Sequence, residues 1–359
     1  MSISKKEKIS AAFLLSSYLE TLGFNNKKWE FNYGIRLDNI NTVNRIILTK
    51  IQDFLLSGGM DIDITKWDAS DDTIMIIATA RALINKNNYK EEYIKVLPLL
   101  EKDKRASGNA LLSSLKIMKY RKELNEIDKN SNMGGNGAAM RTGPIGIKYW
   151  NDEEKIIEES IISSKITHNY YIGFLGGVVS ALFSSYALQD IDPKLWIDKL
   201  LLLYNNKIIH KYHSNEKEID DFMTYWKRYK EVRSNSIKSK EFDNRLDLLM
   251  SFNPSKNIQK YVHSNESLLN KKDVVWEHLG ITGIDSCIYA YDCILLSRNN
   301  SLAFTMNSIF HCGDSDTTAC IGGFWYGLLY GFTGYNIDKM KELEFYKELS
   351  DLSNKFINF

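Results

Sequence analysis

Apolar residues recur three and four apart along most of this chain. That spacing is the period of a helix with one buried face, and it covers residues 9–22, 73–84, 93–100, 110–118, 156–166, 173–188, 196–204, 285–297 and 317–330. Strict alternation of apolar and polar residues, the mark of a half-buried strand, is scarce. The Asn136-Gly137 pair, a common hairpin signal, sits instead inside a glycine-rich loop. Only four prolines interrupt 359 residues. The pattern predicts an all-α protein. No Pro- or Ser-rich linker divides the chain, so one domain over residues 1–359 is expected, with 210–272 as a variable insertion. Within it, 210–254 is rich in Lys, Glu, Asn and Ser and reads as exposed helices and loops.

Two stretches, 166–189 and 317–337, contain no Asp, Glu, Lys or Arg. Their lengths reach the ~20 residues that cross a bilayer. Both carry His, Asn, Ser, Thr or Gly where lipid would require Leu and Ile, and each opens on a polar motif. They are therefore expected to be buried core helices, with no membrane partner. In the second stretch Gly323, Gly327 and Gly331 are four apart and share a helix face. Each interior glycine costs about 1 kcal/mol relative to Ala. Three on one face predict another helix packed there at close range.

Composition adds limits. The chain is 44% hydrophobic and 25% charged, with a formal charge of +1. Such a balance offers no global field for nucleic acid. Cys287, Cys293, Cys312 and Cys320 form no Cys-x-x-Cys pair, which argues against zinc and fits a reducing, cytoplasmic setting. The apolar run 11–15 behind a basic start is too short for a secretory segment, so no targeting signal is expected.

The candidate chemistry lies at helix starts. Ser70-Asp71-Asp72-Thr73 precedes an apolar helix, with Ser70 as a good N-cap. Acids there also complement the helix dipole, which alone would explain a single such motif. Asp314-Ser315-Asp316-Thr317, preceded by Gly313, repeats the arrangement before a second uncharged helix. Four carboxylates held near a core repel one another and are costly to desolvate. Cations resolve the conflict, and carboxylates with hydroxyls suit Mg²⁺, Mn²⁺ or Ca²⁺. A third motif, Gly134-Gly135-Asn136-Gly137-Ala138-Ala139-Met140-Arg141, lets backbone N–H groups approach an anion, as does Gly108. No Walker-type sequence is present. His168, in Thr167-His168-Asn169, is a weaker candidate.

These motifs, in this order, resemble the ADP-ribosylglycohydrolases, and the chain looks most like their ADP-ribosylarginine hydrolase branch. Lys28-Trp29-Glu30-Phe31, Tyr289-Ala290-Tyr291-Asp292, Phe310-His311-Cys312-Gly313 and Tyr330-Gly331-Phe332 point the same way. The resemblance spans roughly residues 9–334 and is weakest through 207–272. It implies a single all-α domain with two Mg²⁺ in a central cleft, held by Ser70, Asp71 and Asp72 from one side and Asp314, Asp316 and Thr317 from the other. It places Gly108, Gly135, Asn136, Gly137, His168 and Asp285 at the ADP-ribose, and makes Asp71, Asp72 and Glu30 the candidates for proton transfer. The implied reaction is Mg²⁺-dependent removal of ADP-ribose from arginine on a protein, by a monomer. Hydrolysis of a serine or small ester linkage, or ADP-ribose binding without catalysis, are the alternatives. Three local departures stand out: Leu19-Glu20 where the family has Gly-Asp, Asn169-Tyr170-Tyr171 where it has a second His and a Pro, and Gly283-Ile284-Asp285-Ser286-Cys287 where it has Gly-His-Asp-Ala-Pro.

Overall fold

A computed structural model describes residues 3–31, 40–235, 245–254 and 278–359. The described helices are α1 (Lys5–Phe24), α2 (Ile40–Leu56), α3 (Asp71–Ile84), α4 (Tyr89–Leu100), α5 (Asn109–Tyr120), α6 (Gly143–Lys148), α7 (Glu153–Lys165), α8 (Tyr171–Leu188), α9 (Trp196–Asn205), α10 (Glu216–Asn235), α11 (Arg245–Met250), α12 (Asp285–Ser297), α13 (Ser301–Ile309), α14 (Ser315–Tyr330), α15 (Ile337–Met340) and α16 (Tyr346–Phe356). No strand forms among the described residues. A single antiparallel bridge joins Gly135 to Thr282. All nine periodic segments lie in helices apart from Ile166, the C-cap of α7, and the fold is all-α as the pattern requires.

The centre is an antiparallel pair, α1 against α14. Glycine sets its closeness. A Cβ at Gly327 would stand 2.4 Å from the backbone N of Ala12, and one at Gly23 would stand 2.6 Å from the carbonyl of Ser315. Gly323 likewise faces Leu15 and Ser16. The predicted close partner is thus the first helix of the chain. Gly331 departs from the expectation of an interior position: it ends α14 with a φ of +57°, a left-handed conformation that glycine adopts freely.

The two uncharged stretches become α8 and α14, both buried. The α8 helix is long and apolar enough to cross a membrane, yet 94% of it lies inside the protein. Around Phe183 of α8 cluster Trp196, Trp226, Tyr291 and Trp325, with ring centroids 5.1–5.4 Å from its own. This cluster ties α9, α10, α12 and α14 to α8 and buries large aromatic area. The expectation of exposed helices over 210–254 needs correction. Ile219, Phe222, Met223, Trp226 and Tyr229 form a buried face of α10, because their spacing matches the helical period despite the charges between them. Of the expected insertion, residues 236–244 and 255–277 lie outside the described residues.

Candidate metal centre and adjoining loops

The α3 start is built by capping. Ser70 Oγ accepts the Asp72 N–H at 3.2 Å, which leaves both aspartates of the first turn free for other work. Behind them Glu20 of α1 is fully buried. Its carboxylate accepts the Ser70 N–H and the hydroxyls of Thr73 (3.0 Å) and Thr21 (3.2 Å). Arg105 fastens the preceding residue: it donates to the Ala69 carbonyl at 2.7 Å and forks onto Glu344 at 2.6 and 2.7 Å.

The α14 start is built differently. Asp314 is itself the N-cap, accepting the Thr317 N–H at 3.4 Å, and its other oxygen accepts the Asn136 side-chain amide at 2.8 Å. Thr317 Oγ1 donates to Asp72 at 3.2 Å, so the two starts touch. Ser315 donates to the Gly23 carbonyl at 3.0 Å and binds this end to α1. Glu30, also buried, faces the same space: ligand-capable oxygens of Glu30, Asp314 and Asp316 lie within 4.8 Å of one another.

The electrostatics of this cluster are unfavourable as bare charge. Burial, then the Asp314 carboxylate, pushes Asp71 up to about 7, while a hydrogen bond from the Gly108 backbone opposes the rise. Asp72 is raised well above the usual carboxylate range by burial and then by Asp71 and Glu20. Asp316 and Glu30 are raised in the same way, by burial first and then by neighbouring acids. Glu20 rises to about 7 by burial. Glu30 Oε2, Asp72 Oδ2 and Asp316 Oδ1 are buried without a hydrogen-bond partner. Orphaned carboxylate oxygens from three chain segments aimed at one cleft are a hard-oxygen donor set, and divalent cations fit it.

The glycine-rich loop adjoins this cleft through Asn136. Its amide reaches both Asp314 and the Gly280 carbonyl at 2.8 Å. The Asn136 N–H donates to the Ile281 carbonyl at 3.1 Å and the Gly283 N–H to the Gly134 carbonyl at 3.1 Å, so residues 134–136 run beside 281–283. His168 lies directly against the loop: a Cβ at Gly137 would stand 2.5 Å from its Cε1. Burial, with the charge of Arg141, pushes His168 down to about 3, so its ring is neutral. Its Nδ1 pairs with Thr167 Oγ1 at 2.8 Å. Gly108 caps α5 with open space around it.

The structure brings Ser70, Asp71, Asp72, Asp314, Asp316, Thr317 and Glu30 to one cleft, with Gly108 beside it and Gly135, Asn136, Gly137 and His168 on its flank. Asp285 is placed otherwise. It is buried and its carboxylate accepts from the Gly280 N–H (2.7 Å), the Thr282 N–H (2.9 Å), the Thr282 hydroxyl and the Asn253 amide (2.9 Å). Its visible work is to hold the 280–282 turn that supports Asn136. Sequence reasoning passed over Lys50, Asn253 and residues 279–282, whose partners lie far away in the chain. It noted Glu20 only as a departure in residue type.

Buried carboxylate oxygens without hydrogen-bond partners, gathered between two helix starts in an all-α core, fit a divalent-cation centre. The family model for ADP-ribosylglycohydrolase matches residues 4–358, and the chain belongs to that family, whose members are enzymes acting on ADP-ribose linkages. The chain is 32% identical to the ADP-ribosylhydrolase ARH1 of Dictyostelium discoideum, covering 100% of this chain and 95% of that protein. It is 32% identical to the putative ADP-ribosyl glycohydrolase L444 of Acanthamoeba polyphaga mimivirus, over 94% of this chain and 67% of that one. A solved ADP-ribosylglycohydrolase-related protein complex shares the fold, with a TM-score of 0.58 at 13% identity, covering 99% of this chain and 98% of the other.

Proposed function

We propose that this protein removes ADP-ribose from ADP-ribosylated arginine on proteins, with two Mg²⁺ ions held between the α3 and α14 starts. The observation that carries the metal reading is the set of buried, partnerless oxygens on Glu30, Asp72 and Asp316. The arginine reading rests on the resemblance carried by the paired Asp motifs, which the segments around Trp29, Tyr289 and Phe310 corroborate.

Ser70, Asp71 and Asp72 would hold the ions from one side, and Asp314, Asp316 and Thr317 from the other. Bound ions supply orientation of the ribose hydroxyls and polarisation of the attacking water. The chain does the rest. The backbone of Gly135 to Gly137 receives the diphosphate at close range. His168, neutral and packed on Gly137, fixes that loop without adding charge. Asp71, Asp72 or Glu30 would move the proton; burial and neighbouring acids raise all three carboxyls above their ordinary range in the cation-free protein. The C–N bond at the ribose anomeric carbon breaks, water adds there, and the proton goes to the departing guanidine.

A different acceptor is the second reading, favoured by Tyr170 and Tyr171. Their rings lie 4.7 Å apart, and Tyr170 lies beside Gly134. The test is hydrolysis of defined arginine- and serine-linked ADP-ribosyl peptides, with Mg²⁺ and with EDTA. Release from the arginine peptide only with Mg²⁺ is expected. Release from the serine peptide alone would move the assignment to that linkage. Tight ADP-ribose binding by calorimetry with no turnover on either peptide would make the protein a binder.

A further inference from the structure

We infer that Lys50 of α2 is a positioning residue for the metal centre, clamping the segment that carries Glu30 against the segment that carries Asp314 and Asp316. The inference rests on the cation site proposed above.

Lys50 is buried, 6% exposed. A buried ammonium is costly unless its protons find acceptors. Here it donates to the carbonyl of Trp29, the residue before Glu30, and at 3.0 Å to the carbonyl of His311, three residues before Asp314. Those two segments are far apart in sequence; they bond directly, Phe31 N–H to the Gly313 carbonyl at 3.1 Å and Ser315 Oγ to the Trp29 carbonyl at 3.4 Å, and Lys50 bridges them from a third. Phe54, one turn along the same face of α2, grips the same pair with apolar contacts. Its ring centroid is 6.2 Å from that of Trp29 and 5.3 Å from that of Phe310. Trp29 and Phe310 also touch directly, at 5.5 Å. Residues 50 and 54 of α2 therefore form a clasp with a polar and an apolar half. The apolar half can hold the segments together alone. The polar half fixes carbonyl positions next to the cation ligands and places a positive charge beside a cluster of acids. Through the adjoining peptides it sets how far the Glu30 carboxylate stands from Asp314 and Asp316, the group whose oxygens already lie within 4.8 Å.

Residues that orient metal ligands from behind typically cost ~10–100-fold in metal affinity when removed. The experiment is calorimetric titration of Mn²⁺ and of Mg²⁺ into the wild type, Lys50→Met, Lys50→Arg and Lys148→Met, with thermal melts of each cation-free protein. Lys148 is the control: it too donates to a backbone carbonyl (Leu83, 2.7 Å) and a side-chain oxygen (Asn87, 2.9 Å), on α6, and it touches neither acidic helix start. Lys50→Met is expected to weaken cation affinity ~10-fold or more, with partial recovery in Lys50→Arg. Lys148→Met should bind as the wild type does, whatever its melting temperature. Native affinity in Lys50→Met overturns the inference and leaves the proposed function standing. A wild type that binds neither cation overturns the metal reading and this inference with it. If Lys50→Met does not fold, Lys50→Gln carries the same test. Failure of both to fold overturns the inference, because Lys50 would then hold the fold itself.

Discussion

The two acidic helix starts look alike in sequence and are supported in opposite ways. At α3 a serine does the capping, neither aspartate is needed as the cap, and the support from behind is a further acid, Glu20. At α14 an aspartate does the capping, one carboxylate is already engaged with Asn136, and a buried cation, Lys50, stands behind the preceding loop. The α3 side therefore adds negative charge to the cleft and the α14 side partly offsets it. A site of this kind binds cations from an acid-rich wall and controls their positions from a wall tied to the ligand loop. Asn136 is the tie, since it touches Asp314 and the 280–282 turn together.

The strongest way to break the comparison is to remove one carboxylate from each wall. Asp71→Asn and Asp316→Asn should each lower Mg²⁺-dependent release of ADP-ribose by ~100-fold or more, since both walls supply ligands. Full activity in either variant would remove that wall from the metal assignment.

A smaller effect comes from pH. Burial raises Glu20 and Asp71 to about 7 and Asp285 to about 6. In the unfolded chain such carboxyls titrate near ~4. Between those values the native state holds more protons than the unfolded state, so stability falls as pH rises. The cation-free protein should melt at a higher temperature near pH ~5 than near pH ~7.5, and saturating Mg²⁺ should narrow that difference by taking the place of the Asp71 proton. A melting temperature in EDTA that climbs over this interval would show that the acids are ionised and satisfied without cations.

The smallest effect separates capping from tethering. Ser70→Ala removes a cap worth ~1 kcal/mol together with a proposed ligand, so it should lower both melting temperature and Mn²⁺ affinity. Ser315→Ala removes a hydrogen bond to the Gly23 carbonyl, worth ~1 kcal/mol. Because Ser315 also donates to the Trp29 carbonyl at 3.4 Å, the variant should lower melting temperature and cost less Mn²⁺ affinity than Ser70→Ala does. Equal losses of affinity in the two would mean that the α3 serine is a cap and nothing more.

The difference in support also explains what the sequence made legible. Capping is local, so Ser70, Asp71 and Asp72 could be read from five neighbouring residues, as could Asp314 and Asp316. Helical periodicity is local too, and it located nine helices, including both buried uncharged ones. Lys50 lies beyond such reasoning because its acceptors are carbonyls 21 and 261 residues away. The α2 helix was missed for a related reason: Lys50 occupies a buried position in what would otherwise read as an apolar stripe with Val43 and Phe54. Asp285 shows the reverse case. Its residue type and its neighbourhood were readable, but not that three donors of its own loop and a fourth from Asn253 would occupy its carboxylate.

The α1–α14 seam has a consequence for the order in which this molecule is made. The α1 helix is made long before α14, and until then α3 is among the few partners it has. Gly23 meets Ser315, 292 residues later, so at ~5–20 residues per second α1 waits ~15–60 s for the helix that covers it. Both walls of the cleft depend on that docking, because Glu20 braces one and the Gly23 carbonyl tethers the other. The metal centre is therefore among the last parts of the nascent chain to mature, and a chain that stalls before residue 315 carries half a site and an α1 without the helix that covers it.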